Sequence, residues 1–144
     1  MITVQLIDTK HPFYPLEQEL RNSVLLRPIG IPDHAWEMHD EKAWHFVAVE
    51  NENVIGCVVL VPLNPEQTKT QLMQMAVETS QQGKGIGKLL VKELIYFSKS
   101  NGIQEVVCHA RDNAVPFYLN LGFEIYSNPF IEVGIQHYHM RINL

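Results

Sequence analysis

The residues best placed to do chemistry begin with a run of glycines past mid-chain, Gln82-Gly83-Lys84-Gly85-Ile86-Gly87-Lys88, set between a β-rich stretch and a helical one. In such a turn, successive main-chain N–H groups and the positive end of the following helix dipole make a site for anions, phosphates above all. Glycine suits the turn because no Cβ then stands between a phosphate and the main chain. Two well-known phosphate loops do not fit. A Walker loop needs glycine, four residues, then Gly-Lys-Ser/Thr. Counted back from Gly87-Lys88, its first glycine falls on Gln82, and its metal-ligating hydroxyl position is Leu89. The dinucleotide pattern Gly-x-Gly-x-x-Gly, started at Gly83, meets Lys88 where its third glycine belongs. The spacing actually present is Gln82-x-x-Gly85-x-Gly87.

A second group of candidates lies later. His109 ends a β-rich run, and ligands of open α/β sheets gather beyond the carboxyl ends of strands. His137 and His139, two apart, share one face of a strand, and Glu132 lies just ahead of them. Seven histidines invite a metal reading. However, His34/His39 and His137/His139 have neither accompanying cysteines nor a helical His-Glu-x-x-His pattern, so no metal is expected. Cys57 and Cys108 sit in apolar stretches and read as small buried hydrophobes. Cys108 has no positively charged helix end beside it, which argues against an acyl-carrying thiolate.

The elements that position these residues belong to one domain, residues 1–144. The chain is 46% hydrophobic and 19% charged, with a formal charge of −5. That sign excludes a broad surface for a polyanion, so neither nucleic acid nor an acidic membrane is an expected partner. The start of the chain has no basic region followed by an apolar core, and the longest apolar run, residues 55–61, is far short of the roughly 20 residues that span a bilayer. A cytoplasmic protein is the expectation.

Residues 2–7 read as a strand, and Leu16, Leu20 and Val24 as the inward stripe of a first helix. Residues 27–44, with Pro28, Gly30 and Pro32, read as a loop holding one short helix at 35–39. Strands at 46–49, 54–61 and 70–77 should form an antiparallel meander, the first two joined by a hairpin turn at 50–53. Ile86, Leu89, Leu90, Leu94 and Phe97 carry helical spacing, and Asn101-Gly102 ends that helix. A strand at 105–110 completes a βαβ unit, followed by a helix at 113–121 and closing strands at 123–127 and 131–142. The expected class is α/β with a mixed, mostly antiparallel sheet.

The turn, the strand Gln74-Met75-Ala76-Val77 before it, and Asn113-Ala114-Val115-Pro116-Phe117-Tyr118 through Leu121-Gly122-Phe123 after it resemble the GNAT superfamily of acetyl-CoA-dependent N-acetyltransferases. The order of elements agrees over essentially the whole chain. The resemblance implies a GNAT fold and acetyl-CoA as co-substrate, its pyrophosphate held by Gln82, Gly83, Lys84, Gly85, Ile86 and Gly87, with Lys88 adding local charge. It implies a bulged strand whose main chain at Met75, Ala76 and Val77 runs beside pantetheine, with cofactor contacts from Asn113 and Phe117. Asn113 also suits a plain helix cap. Tyr118 takes the position of the general acid for the departing sulfur. The base, or a group polarising the substrate, falls to Glu132, His137 or His109, with a water chain equally open. The acceptor is a small-molecule or peptide amine, met by the first helix and the 27–44 loop, where Trp36, Trp44, Glu37, Asp40 and Glu41 can attract a cation. A homodimer stays open, as does the alternative of an acyl-CoA-binding module without transferase activity.

Overall fold

Residues 1–144 are all described by the computed structural model. Strands β1 (Thr3–Ile7), β2 (Trp44–Glu50), β3 (Asn53–Pro62) and β4 (Lys69–Val77) pair antiparallel in chain order; the last three are the expected meander, and β1 joins its edge. The β2–β3 turn is two residues long. Asn51 and Glu52 take φ of 51° and 63°, the doubly left-handed turn whose twist matches a hairpin.

Helix α1 (Tyr14–Arg21) lies between β1 and β2, and α2 (Ile86–Ser100) crosses from β4 to β5 (Glu105–Arg111). That crossover makes β4–β5 a parallel pair in an otherwise antiparallel sheet. Helix α3 (Val115–Asn120) and strands β6 (Glu124–Ile125), β7 (Phe130–Glu132) and β8 (Ile135–Asn143) follow. The sheet order is β1-β2-β3-β4-β5-β8-β6, with β7 also paired to β8.

One face of the sheet is covered by α2, through Ile86, Leu90, Val91 and Leu94 against Phe46, Val58, Leu60 and Val106. The approach is close: a Cβ built on Gly56 would lie 2.9 Å from Ile86 Cγ2. Gly102, at φ 76°, ends α2, and the Ile103 N–H bonds back to the Ser98 carbonyl at 3.1 Å. On the other face Leu20 of α1 packs with Val47, Val49, Cys57 and Ala76. The result is the α/β, mostly antiparallel sheet expected, with helices on both faces. No helix is long and apolar enough to cross a membrane.

Several local expectations are corrected. Leu16 is 45% exposed, and α1 instead turns Glu17, Leu20 and Arg21 inward. The buried charges are satisfied together. Arg21 donates to Glu17 and Asp40, each at 2.9 Å, and to the Trp36 carbonyl at 2.8 Å. His45 meets Glu17 at 2.8 Å through Nδ1 and donates from Nε2 to the Asp40 carbonyl at 2.9 Å. The network pins the 27–44 loop to α1 and β2. That loop has turns at 33–36 and a short 3-10 segment at Asp40–Lys42, not a helix at 35–39. The helix expected at 113–121 is a 3-10 turn, Asp112–Ala114, followed by α3. The last expected strand is two, β7 and β8, because Val133 and Gly134 at φ 47° and 74° reverse the chain.

Candidate active site

Strands β4 and β5 pair only from Lys69 to Leu72 and from Glu105 to Cys108, and beyond that they part. The cause lies in β4. Between the pairs Val59↔Met73 and Cys57↔Ala76, β4 has one residue more than β3, so it bulges, with Gln74 at φ 57°. The kink falls at Gln74 and Met75, while Ala76 and Val77 are back in register with Cys57 and Gly56. Glutamine rarely takes this conformation, and no glycine marks the position in the sequence. Gln74 accepts the Cys57 thiol at its carbonyl at 3.4 Å, and its buried Oε1 has no partner. Leaving a buried acceptor unpaired costs on the order of 1–3 kcal/mol, so the bulge carries a local cost.

A cavity of about 580 Å³ fills the split, lined by Gln71–Met75 of β4 and His109–Arg111 of β5. Tyr118 forms part of its wall. The Tyr118 ring packs edge-on against Phe117 and Phe123 at 5.1 and 5.3 Å. Burial, aided by Cys108, pushes its phenol well above the ordinary range, so it keeps its proton at physiological pH. Cys108 is itself pushed up to about 12 by burial, which leaves a thiol and no nucleophile.

The tight turn at Val133–Gly134 folds β7 onto β8, setting Phe130 opposite His137 and Glu132 opposite Ile135. Strand β8 in turn sets His137 opposite Arg111 and His139 opposite His109. Glu132, His137 and His109 thereby converge at the cavity wall. His109 Nδ1 stands 3.1 Å from Glu132 Oε1, and His137 Nε2 stands 3.7 Å from Glu132 Oε2. His137 donates from Nδ1 to the Ile135 carbonyl at 2.8 Å. Nε2 is then the ring nitrogen that faces Glu132. Phe130 stacks on His139 at 4.3 Å, and His139 is shifted down by burial and then by His109.

The glycine turn lines a neighbouring cavity of about 390 Å³ with Val77, Lys88 and Phe117. No N–H of residues 83–88 donates to a main-chain carbonyl, so the start of α2 presents an open row of donors. Gly83 and Gly85 are left-handed at φ 81° and 80°, with nothing within 4 Å of a built Cβ. The two cavities share elements: Met75 and Tyr118 line the larger, and Val77 and Phe117 the smaller. Gln82 is tied to the Val77 carbonyl at 3.1 Å, and Lys84 to Gln81 at 3.1 Å.

Other candidates stand elsewhere. Asn113 is exposed, lines neither cavity and makes no capping hydrogen bond. Trp36 lines the larger cavity, whereas Trp44 packs on Phe97 at 5.4 Å, away from it. Glu37 is held by Gln18, Asp40 by Arg21 and Tyr14, and Glu41 by Thr9. Among the cavity's lining residues the carboxylate is Glu132. Sequence reasoning missed Asn120, Gln81 and Leu121 in the smaller cavity, and Arg111, Met38 and Gln74 in the larger. Asn120 had a signal, since it falls one turn after Phe117 on the same helix.

A sequence profile described as "Acetyltransferase (GNAT) domain" matches residues 31–144. The chain is 30% identical over 94 residues to N-acetyltransferase 8B of Homo sapiens, a match that takes in 61% of this chain and 41% of that protein. It thus spans about two-fifths of that relative's length. In three dimensions it is similar to Escherichia coli ElaA, with a TM-score of 0.88 and 16% identity over 99% of this chain and 100% of the other. A GNAT family acetyltransferase from Elizabethkingia anophelis with acetyl-CoA bound superposes with a TM-score of 0.77 and 21% identity, covering 99% and 98% of the two chains.

Proposed function

This chain belongs to the GNAT acetyltransferase family, and on that premise we propose that it transfers the acetyl group of acetyl-CoA to a primary amine by direct attack. The observation that carries this reading is the split between β4 and β5, which puts Tyr118 and the Glu132–His137 pair on one cavity beside the glycine turn. The E. anophelis neighbour, with acetyl-CoA bound, supports the choice of co-substrate.

The residues present fit such a ligand. The open N–H groups of residues 83–88 take the pyrophosphate, Lys88 adds positive charge, and Phe117 and Asn120 line the groove. An anion at an exposed helix N-terminus gains about 0.3–1 kcal/mol from the dipole alone. Acetyl-CoA supplies an acetyl group activated as a thioester. The bulge at Gln74 and Met75 turns main chain out of the ladder toward the acetyl end.

An amine with a pKa near 10.4 reaches the site as a cation. Glu132 holds that cation, with His109 fixing its carboxylate from the far side. His137 accepts the proton at Nε2, the atom freed by the bond from Nδ1 to Ile135. The neutral nitrogen forms its bond to the acetyl carbon as the carbon–sulfur bond breaks, Tyr118 gives its proton to the departing sulfur, and the second proton that the nitrogen sheds in becoming an amide restores the Tyr118 phenol. A phenol kept protonated by burial suits that last step.

The test is free CoA thiol released with acetyl-CoA over a panel of primary amines. Amine-dependent release that collapses in Tyr118→Phe supports the proposal. Tight acetyl-CoA binding with no release on any amine would instead support a binding module.

A further inference from the structure

The larger cavity is lined by an arginine that forms no ion pair with any carboxylate of the chain within 4.0 Å. Arg21 pairs with Glu17 and Asp40, Arg27 with Glu19 and Asp33, and Arg141 with Glu105 and Glu124. Arg111 alone of the arginines has no carboxylate within 4.0 Å, in a chain with sixteen acidic residues, and it lines the cavity while only partly exposed. It lies two residues beyond His109 on the same face of β5, roughly 7 Å further along the strand at 3.3 Å per residue, and opposite His137 in β8. Glu132, at the His109 end, is the cavity's carboxylate, and Gln74 also lines it. Leu25, Trp36 and Met38 supply an apolar wall.

Building on the acetyltransferase reading above, we propose that the acceptor is an amino acid with a free carboxylate and an apolar side chain, its amine at Glu132 and His137 and its carboxylate on Arg111. A planar guanidinium presents paired N–H donors that match a carboxylate, which a simple amine lacks. The apolar wall takes the side chain. Arg111 is then a specificity-determining residue that distinguishes amino acids from plain amines.

The test compares phenylalanine, phenylalaninamide and phenethylamine as acceptors for the full chain at saturating acetyl-CoA, with a lysine-containing peptide as a fourth. The expected result is a kcat/KM for phenylalanine at least tenfold above the other two small amines. Arg111→Gln should lower that value at least tenfold and bring the three toward equality, with Arg111→Lys in between. Phenethylamine or the peptide acetylated as well as phenylalanine overturns the amino-acid assignment and leaves acetyl transfer standing. So does an Arg111→Gln variant with a raised KM for acetyl-CoA and an equal loss on every amine, since Arg111 would then serve the CoA. No transfer to any of the four overturns both readings.

Discussion

Glu132 and His109, 23 positions apart in sequence, face one another with 3.1 Å between Oε1 and Nδ1. The contact exists because β7 folds back on β8 through the turn at Val133–Gly134, and because β8 pairs with β5. It fixes one oxygen of a 44%-exposed carboxylate and leaves the other facing His137.

Glu132→Gln should therefore lower kcat/KM by about 10²-fold, the low end of what positioned acid–base groups contribute. Stability should change by less than about 1 kcal/mol, because an exposed pair adds little to folding. Steady-state kinetics and urea unfolding on the same preparation check both halves. A variant with normal kinetics would remove Glu132 from the site.

Tyr118→Phe should lower kcat by about 10²-fold while KM for acetyl-CoA stays nearly constant, since the phenol acts on the leaving group. An acetyl thioester of a more acidic thiol needs less protonation and should lose far less. Equal losses with both donors would contradict the acid role.

Gly87→Ala separates ligand from fold. A Cβ there would meet Phe117 at 3.7 Å and Met75 Sδ at 3.8 Å, ordinary contacts, and alanine favours a helix over glycine by up to about 1 kcal/mol. The variant should be at least as stable as the parent, yet bind acetyl-CoA about tenfold more weakly if phosphate approaches the main chain here. Calorimetric titration and thermal unfolding read the two effects apart.

Much of this was legible locally. The glycine turn and α2 are set by neighbours in sequence, so spacing predicted both, and the β2–β3 hairpin turn likewise. What stayed hidden depends on long-range contacts. Gln74 takes a left-handed conformation because the bulge demands it, without a glycine to announce it. Leu16 faces outward because Glu17 and Arg21 find buried partners in Asp40 and His45, pairings that the spacing of Leu16, Leu20 and Val24 does not announce. Asn113 matched a motif, yet Asn120 lines the groove.

The buried network predicts how stability varies with pH. Burial alone would push His45 down, but the bond to Glu17 and the Asp40 carbonyl outweigh it and raise it above the unfolded value. The contribution of His45 is thus fully present below about pH 6.5, the unfolded histidine value, and is lost as pH rises through the raised folded value. Urea unfolding at intervals from pH 6 to 9 should show stability falling, and His45→Gln should remove that part of the slope. Glu17→Ala, which removes the carboxylate from buried His45 and leaves Arg21 with Asp40 as its one remaining carboxylate, should cost about 3 kcal/mol.

The most direct test of the account is a single turnover with carbon-13 acetyl-CoA, protein in excess, an amine acceptor present, and mass spectra of product and protein. The account predicts the label on the amine nitrogen, free CoA released in equal amount, and no acetyl on the chain. Label on Cys108 or any other residue before it reaches the amine, or label left on CoA while the amine goes unmodified, would contradict it.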